Sequence, residues 1–484
     1  MMYIMNQGLV VNNNQMIKDT NSIFFLFLSL NYKKILILIL GDYMKNISIW
    51  KDNIDIKEFR KLENDKSVDV LIIGGGITGI STLYHLKDTN KKIMLVEQNK
   101  IGFSTTGNST GKLNFLQNDL LNKIRNNYND TVLKDYIKSQ IDTIKEEVSL
   151  IKKNKIDCDL EKIDSYIYTN KEGEIEKLKD LEYFLNEMNI KTYNKKLDIV
   201  KYKYLFYVKD TYLINPIKFI YGLTNGLEDL IYENTSIKKI KECDKGYICY
   251  TDRFKIKAKC VVVASHYPYF NIPFLFPIKG YLEKSYISAS KSNDYKLSLI
   301  SYSNPFISIR NYKDYLIYLS NSRSIDKSVC DKKNFNELLK KLNDLNLNPD
   351  YLWSNIDIMT NDSLPYVGEI KKHMYLATGY NTWGLTNGFL AGSIISSMID
   401  RKKNPYKKLF SPDRIITNQF SMGLLDIKKN INGYIKGFNG DKKCTHMGCG
   451  LIYNEVEHTF DCPCHGSRFD INGNVIMSPA NKKI

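Results

Sequence analysis

Apolar positions follow three different rhythms along the chain. From Val68 to Ile73 (VDVLII) they are almost continuous, and the same density returns in KIMLVE (Lys92–Glu97), CVVVAS (Cys260–Ser265) and MYLAT (Met374–Thr378). Runs this short and this apolar predict strands buried on both faces, as in a parallel sheet. Between the first two lies a stretch of helical period ending near Leu86. A helix-rich insertion is predicted over about 115–190 and a strand-rich one over about 278–355. Residues Leu230–Ser265 alternate like strands broken by turns such as Asp244-Lys245-Gly246. Phe306–Ser324 reads as a hairpin of two alternating strands around Asn311–Asp314.

One apolar stretch stands outside this pattern. Ile23–Leu40 is interrupted by Asn31, Lys33 and Lys34, and each apolar half is too short to span a bilayer. No small-residue cleavage site follows, so a signal peptide fits poorly. Leu40-Gly41-Asp42 can be encoded by TTAGGAGAT, which places a ribosome-binding sequence just ahead of Met44. Residues 1–43 are therefore expected to be a translated leader, with a weak membrane anchor as the alternative. Stable membrane insertion is not expected.

At 484 residues the chain is long enough for two or three domains, and its 43% hydrophobic content allows a sizeable core. The net charge of +16 would suit an anionic partner. The excess is mostly lysine spread along the chain without a compact block, so a solvated surface is expected and no nucleic acid. Cys158, Cys243, Cys249, Cys260 and Cys330 show no metal-ligand spacing. They are expected to be buried or half-buried free thiols in a cytoplasmic protein.

The first apolar run flows into Gly74-x-Gly76-x-x-Gly79, then the helical stretch, then a second strand ending in Glu97. Gly74 permits a tight turn, Gly76 lets backbone approach a pyrophosphate, and Gly79 allows helix and strand to pack closely. The helix N-terminus offers N–H groups to phosphate, and Glu97 arrives where a carboxylate accepts ribose hydroxyls. That acid disfavours a 2′-phosphate, leaving FAD or NAD as the dinucleotide. A Ser/Thr/Gly loop follows (Ile101–Asn114), and MYLATGYNTWGLTNGFLAGSIISSMI (Met374–Ile399) supplies a second glycine turn and helix.

This pair of segments, with TNDSLPYVGEI (Thr360–Ile370) before the second, resembles the D-amino-acid oxidase and glycine oxidase superfamily of FAD enzymes. The resemblance covers roughly residues 65–410, and the oxidoreductase domain is expected over 44–410. It implies a Rossmann-type α/β FAD-binding domain with an α+β substrate domain, the latter about 115–215 and 278–355. It places Thr106 and Gly107 on the cofactor, and Gly384, Leu385 and Thr386 nearest the flavin ring, where a helix N-terminus stabilises negative charge. The small-residue turn that touches FAD becomes Ala264-Ser265-His266 here, without the usual glycine. Arg310, on the hairpin that borders the substrate cavity in relatives, is the candidate clamp for a substrate carboxylate. No acid or base stands out.

The tail CTHMGCGLIYNEVEHTFDCPCHGSRFD holds Cys444-x-His446, fifteen residues, then Cys462-x-x-His465. A Cys₂His₂ set suits zinc, but zinc fingers pair cysteines in one half and histidines in the other. Halves that each hold one cysteine and one histidine suit a Rieske [2Fe–2S] centre. The segment resembles Rieske proteins of the respiratory-complex type, which implies a small all-β domain over 431–484 after a linker, 411–430. It further implies a disulfide between Cys449 and Cys464 and a hydrogen bond from Ser467 to a cluster sulfide. Phe469 replaces a tyrosine that donates to a ligand sulfur in high-potential relatives, so a lower potential is expected. Only a short segment precedes Cys444, so strands usual in such domains are missing. The cluster is then either more exposed or supported by the FAD domain.

Together the halves resemble bacterial FAD-dependent oxidoreductases with a C-terminal Rieske domain. The expected function is oxidation of an amine or amino acid, with electrons leaving flavin through the cluster to an acceptor protein or quinone. A reductase running the other way, or a redox sensor without turnover, are the alternatives.

Overall fold

The computed structural model describes residues 44–52, 54–267, 279–325, 330–414 and 442–484. The leader reading and most of the expected linker fall outside these residues. Among the described residues no helix is long and apolar enough to cross a membrane.

The apolar runs become the centre of an eight-stranded sheet. Lys66–Ile73 pairs in parallel with Lys255–Val263 on one side and Ile93–Val96 on the other. Met374–Thr378 and Ile231–Tyr232 extend it in parallel, and Tyr366–Lys371 closes one edge antiparallel. Leu71, Ile72 and Val261–Val263 are fully buried because helices and loops cover both faces. The helix Ile77–Leu86 lies against the helix Gly384–Ile399, which approaches closely through two small residues. A Cβ at Gly388 would come within 2.6 Å of the Ile77 side chain, and one at Gly392 within 2.4 Å of Ser81 Oγ. The two N-termini are thereby held side by side.

A nine-stranded sheet forms the second layer, in the order Pro349–Thr360, Gly280–Lys291, Tyr315–Ser324, Ser308–Tyr312, Ser298–Ser301, Glu161–Thr169, Tyr204–Leu213 and Lys112–Leu113, with Thr192–Tyr193 added to Tyr204–Leu213. The expected hairpin is present, turning at Lys313-Asp314. Its strands do not alternate in burial, however. Leu316–Ser322 are all buried, and so are Lys284–Ser290 on the neighbouring strand. A sheet with one wet face would bury only every second residue.

Two elements supply the reason: the helix Asp331–Asn343, whose Phe335 and Asn334 meet Tyr286 and Asn321, and the tail. The tail's own sheet is only four short antiparallel strands, Ile452–Asn454, Thr459–Asp461, Arg468–Phe469 and Val475–Met477. It is packed onto the outer face of Gly280–Lys291 and Pro349–Thr360. Leu282, Ile356 and Ile358 form an apolar cluster with Met477, and a Cβ at Gly466 would lie 3.3 Å from Leu282 and Ile356. Lys284 projects from the same face. Its Nζ is 2.6 Å from Asp461 of the tail and 2.7 Å from Asp331, with only 3% of its side chain exposed. Arg468 binds the other oxygen of Asp461 at 3.0 Å and Glu457 at 2.8 Å, and Glu457 accepts from the Ser354 N–H at 3.0 Å. Burial disfavours the Lys284 charge, but Asp461 and Asp331 outweigh it and hold the ammonium protonated.

Replacing Lys284 with Ala leaves two buried carboxylates without their shared cation. We expect a loss of about 3–5 kcal/mol in denaturant unfolding. Lys332→Ala, which breaks the exposed Lys332–Glu455 pair, should cost far less, because solvent screens that pair. Equal costs for the two would mean that the Lys284 pair does not hold the tail.

Candidate functional site

Where the first strand ends, Gly74 turns at φ +112°, and a Cβ there would lie 2.5 Å from the Ala264 carbonyl. Gly79 packs so tightly on the turn that its Cβ would fall 1.9 Å from the Gly74 carbonyl. Gly76, by contrast, faces open space bounded by Thr106 Oγ1 at 3.2 Å. Thr106 accepts the Ile77 N–H at 3.1 Å, tying the loop to the helix N-terminus. Glu97 is half-buried, and its two oxygens accept the N–H groups of Gly75 (2.7 Å) and Asn99 (2.8 Å). Desolvation nevertheless raises its pKa, with Glu233 adding to the effect.

Gly74, Gly76, Glu97 and Thr106 line one long cavity, together with Gly384, Leu385 and Thr386 from the second helix. Gly79 and Gly107 do not line it, and Gly107 is packed against the Gly102 carbonyl instead. The cavity lining runs from the first glycine turn to the N-terminus of the second helix. Neither helix N-terminus has a side-chain cap or an acidic residue in its first turn. Buried polar atoms without partners line the same walls: Thr105 Oγ1, Ser109 Oγ, His266 Nε2, Asn355 Oδ1 and Trp383 Nε1. Uncapped N–H groups, a glycine cradle and orphaned polar atoms are what a dinucleotide such as FAD would complete.

The sheet wall corrects one expectation. Arg310 does not line the cavity. It is 1% exposed, and its guanidinium donates to the carbonyls of Asn311, Thr110, Gly111 and Ile214 at 2.6–3.1 Å. Its strand lies inside the sheet, and the guanidinium binds backbone carbonyls there, sharing that of Gly111 with the Ile214 N–H. Cys243 and Cys330 also depart from expectation, being exposed. Three residues not assigned from sequence do line the cavity, Lys112, Asn355 and Asp357, together with His266 of the expected cofactor-side turn. His266 turns at φ +63° and bonds to the Ile356 backbone, leaving Nε2 as a buried lone pair. Burial lowers its pKa to about 4, so the ring is neutral. Only the fold brings these side chains together, since no local motif contains them.

In the tail, two loops close identically. Cys444 N–H reaches the Cys449 carbonyl and Gly448 N–H returns to Cys444, both at 2.8 Å; Cys462 does the same with Ser467 (2.8 Å) and Gly466 (3.1 Å). Gly448 (φ +76°) and Gly466 (φ +79°) supply the left-handed turn each closure requires. Cys449 and Cys464 form a disulfide across the loops. Their sulfurs lie within 4.8 Å of Cys462 Sγ, but a disulfide offers no thiolate. Cys444 and Cys462 are hydrogen-bonded to each other, which favours the thiolate of Cys444 and disfavours that of Cys462. The rings of His446 and His465 are 4.9 Å apart, and each has a buried Nδ1 without a partner. Two sulfurs and two imidazole nitrogens, one of each per loop, fit a Rieske [2Fe–2S] cluster. The Ser467 hydroxyl lies beside Cys444, and Phe469 is fully buried against the cysteines, with no group to donate.

Comparison with known proteins agrees with both halves. The FAD dependent oxidoreductase family matches residues 69–398 and the Rieske [2Fe-2S] domain matches residues 431–484. The chain belongs to the FAD dependent oxidoreductase family and carries a C-terminal Rieske domain, which makes FAD and a Rieske [2Fe–2S] cluster its cofactors. It is 26% identical over 495 aligned residues to the Rieske 2Fe-2S iron-sulfur protein YhfW of Bacillus subtilis (strain 168), across 90% of this chain and 96% of that one. The cytochrome b6-f complex iron-sulfur subunit 2 of Trichormus variabilis is 51% identical over 41 residues, 8% of this chain and 23% of its own. The crystal structure of glycine oxidase from Geobacillus kaustophilus shares the fold, with a TM-score of 0.59 at 16% identity over 72% of this chain and 100% of that one.

Gly76→Val fills the space opposite Thr106, and the purified variant should lose FAD while keeping iron and acid-labile sulfide. Flavin and iron assays on one preparation check this; full flavin content would mean that the pyrophosphate lies elsewhere. Phe469→Tyr adds a donor near the cluster sulfurs. A hydrogen bond of about 1 kcal/mol gained only on reduction corresponds to a rise of about 40 mV in a redox titration followed by EPR. An unchanged potential with an intact cluster would show that this position does not tune it.

Proposed function

We propose that the protein oxidises a small amine or amino acid at its flavin and passes the electrons through the Rieske cluster to an external acceptor, an electron-transfer protein or a quinone. One observation carries this reading: a single layer of protein separates the two cofactor sites. The ring of His465, in the cluster loop, lies 5.0 Å from that of Tyr267, and the residue before this tyrosine, His266, lines the flavin cavity. Ser478 of the tail donates to the Ser265 carbonyl at 2.8 Å, and Asn99, near Glu97, donates to the Val475 carbonyl at 3.1 Å. The tail is thus fastened at two separate points along the cavity.

When bound, the flavin supplies a two-electron hydride acceptor and the cluster a one-electron acceptor. The chain's own residues do the positioning. Glu97 would receive the ribose, the N-termini at Gly76 and Gly384 would favour negative charge at the pyrophosphate and the ring, and the sheet wall would close the substrate side. Exposed free thiols at Cys243 and Cys330 support a reducing, cytoplasmic setting.

The test keeps the tail in place, because removing it would uncover Lys284. His446→Ala should abolish the cluster while leaving FAD content and the rate of flavin bleaching by substrate unchanged in anaerobic rapid mixing. Turnover with the natural acceptor should fall at least about 100-fold, the scale expected when a required ligand is lost. Full turnover in a cluster-free variant would make the tail regulatory or structural.

A further inference from the structure

Among the described residues, the sheet wall of the flavin cavity presents one carboxylate, Asp357, and no cation free to meet a ligand. Asp357 lines it from the strand Pro349–Thr360, and Glu283 stands directly across the ladder on the adjacent strand. Directly opposed residues share a face, so two carboxylates sit side by side. Asn355, two positions earlier on the same face, donates Nδ2 to Asp357 at 3.2 Å. Its Oδ1 has no partner although the residue is only 5% exposed, and it lines the same cavity.

No arginine among the described residues lines this space. Arg310 is committed to backbone carbonyls. The one lysine in the described lining, Lys112, donates to the carbonyls of Leu299 and Ile309, each at 3.0 Å, and burial lowers its pKa well below the usual range. A substrate carboxylate entering here would meet the Asp357 carboxylate and no guanidinium fork to receive it. A substrate ammonium meets the reverse: a carboxylate and an unpartnered amide oxygen.

We propose that the substrate is an amine without an α-carboxylate, its ammonium held between the Asp357 carboxylate and Asn355 Oδ1. This rests on the reading above that the cavity oxidises an amino compound at FAD. Binding lets Asp357 take one N–H proton, giving a neutral amine and a carboxylic acid. The adjacent C–H bond then breaks with its electron pair leaving as hydride to the flavin, and a C=N bond forms, giving an iminium ion. Substrate is oxidised, flavin reduced, and the proton stays on Asp357. Burial, with Glu283 opposite, raises the Asp357 pKa to about 7, which suits proton exchange near neutrality.

A pair of tert-butyl compounds tests this in the FAD-loaded, full-length protein. tert-Butylamine has no hydrogen on the carbon bearing nitrogen and cannot be oxidised; pivalate carries the same tert-butyl group with the opposite charge. Flavin absorbance titrations should show the amine binding at least about tenfold more tightly, and Asp357→Asn should weaken it about 30-fold, the loss of a charged hydrogen bond. Asp357→Glu should recover part of that loss. If Asp357→Asn cannot retain FAD, Asn355→Ala carries the same comparison. Tighter binding of pivalate, or amine affinity unchanged in these variants, overturns the proposal. Anaerobic bleaching separates it from the broader reading. If α-amino acids reduce the flavin while tert-butylamine fails to bind, only this inference falls. If tert-butylamine binds as expected and no amine or amino acid reduces the flavin, the ammonium site stands and the oxidase reading falls.

Discussion

Lys284 is an ammonium group almost without water, placed between a carboxylate of its own layer, Asp331, and one of the tail, Asp461. It neutralises Asp331 and shares Asp461 with Arg468. A buried ion pair of this kind is a poor source of net stability, because desolvation offsets most of the attraction. Its effect is on register. A tail shifted by one residue would strand Lys284 against an apolar surface, whereas the observed placement satisfies Lys284, Arg468, Asp461 and Glu457 together. The apolar contact of Met477 with Leu282 and Ile356 supplies attraction without direction, and the charges supply the direction.

That single placement determines what the strands Gly280–Lys291 and Pro349–Thr360 are. Side chains alternate across a strand, so each has two faces with different tasks. Ser354 and Ile356 meet the tail, while Asn355 and Asp357 meet the cavity. His266 joins the two sides, with its ring bonded to the Ile356 backbone and its Nε2 in the cavity lining. The wall of one site is therefore the floor of the other.

What could be read in the sequence was local. The glycine turn after Lys66–Ile73, the helix and Glu97 lie within one continuous stretch, and their spacing encodes their geometry. The same holds for the tail, where two short loops contain every expected ligand. What could not be read depends on contacts between distant segments. Arg310 sits on a strand whose neighbours are far away in sequence, and only the assembled sheet shows that backbone carbonyls surround it. Asp357 and Asn355 lie in a strand whose burial on both faces masks the period that would have marked them. The loop at Ala264-Ser265-His266 was recognisable as a cofactor-side turn, but not as the place where the tail attaches.

The shortness of the tail and the burial of the wall explain each other. Four strands of two or three residues cannot bury a cluster site alone, since so small a domain leaves too much of its surface wet. The wall strands in turn carry Leu282, Lys284 and Ile356 on a face that would be unstable in water. Each half completes the other's core, so the cluster site is held in a fixed place rather than on a mobile arm. A carrier domain that travels between partners needs an interface that opens readily, which means a small and polar one. Here the interface contains a desolvated lysine bridging both sides, and opening it would part Lys284 from Asp461. The geometry therefore favours a cluster that stays in place; on the proposed reading of the cluster as a relay, the acceptor would come to it.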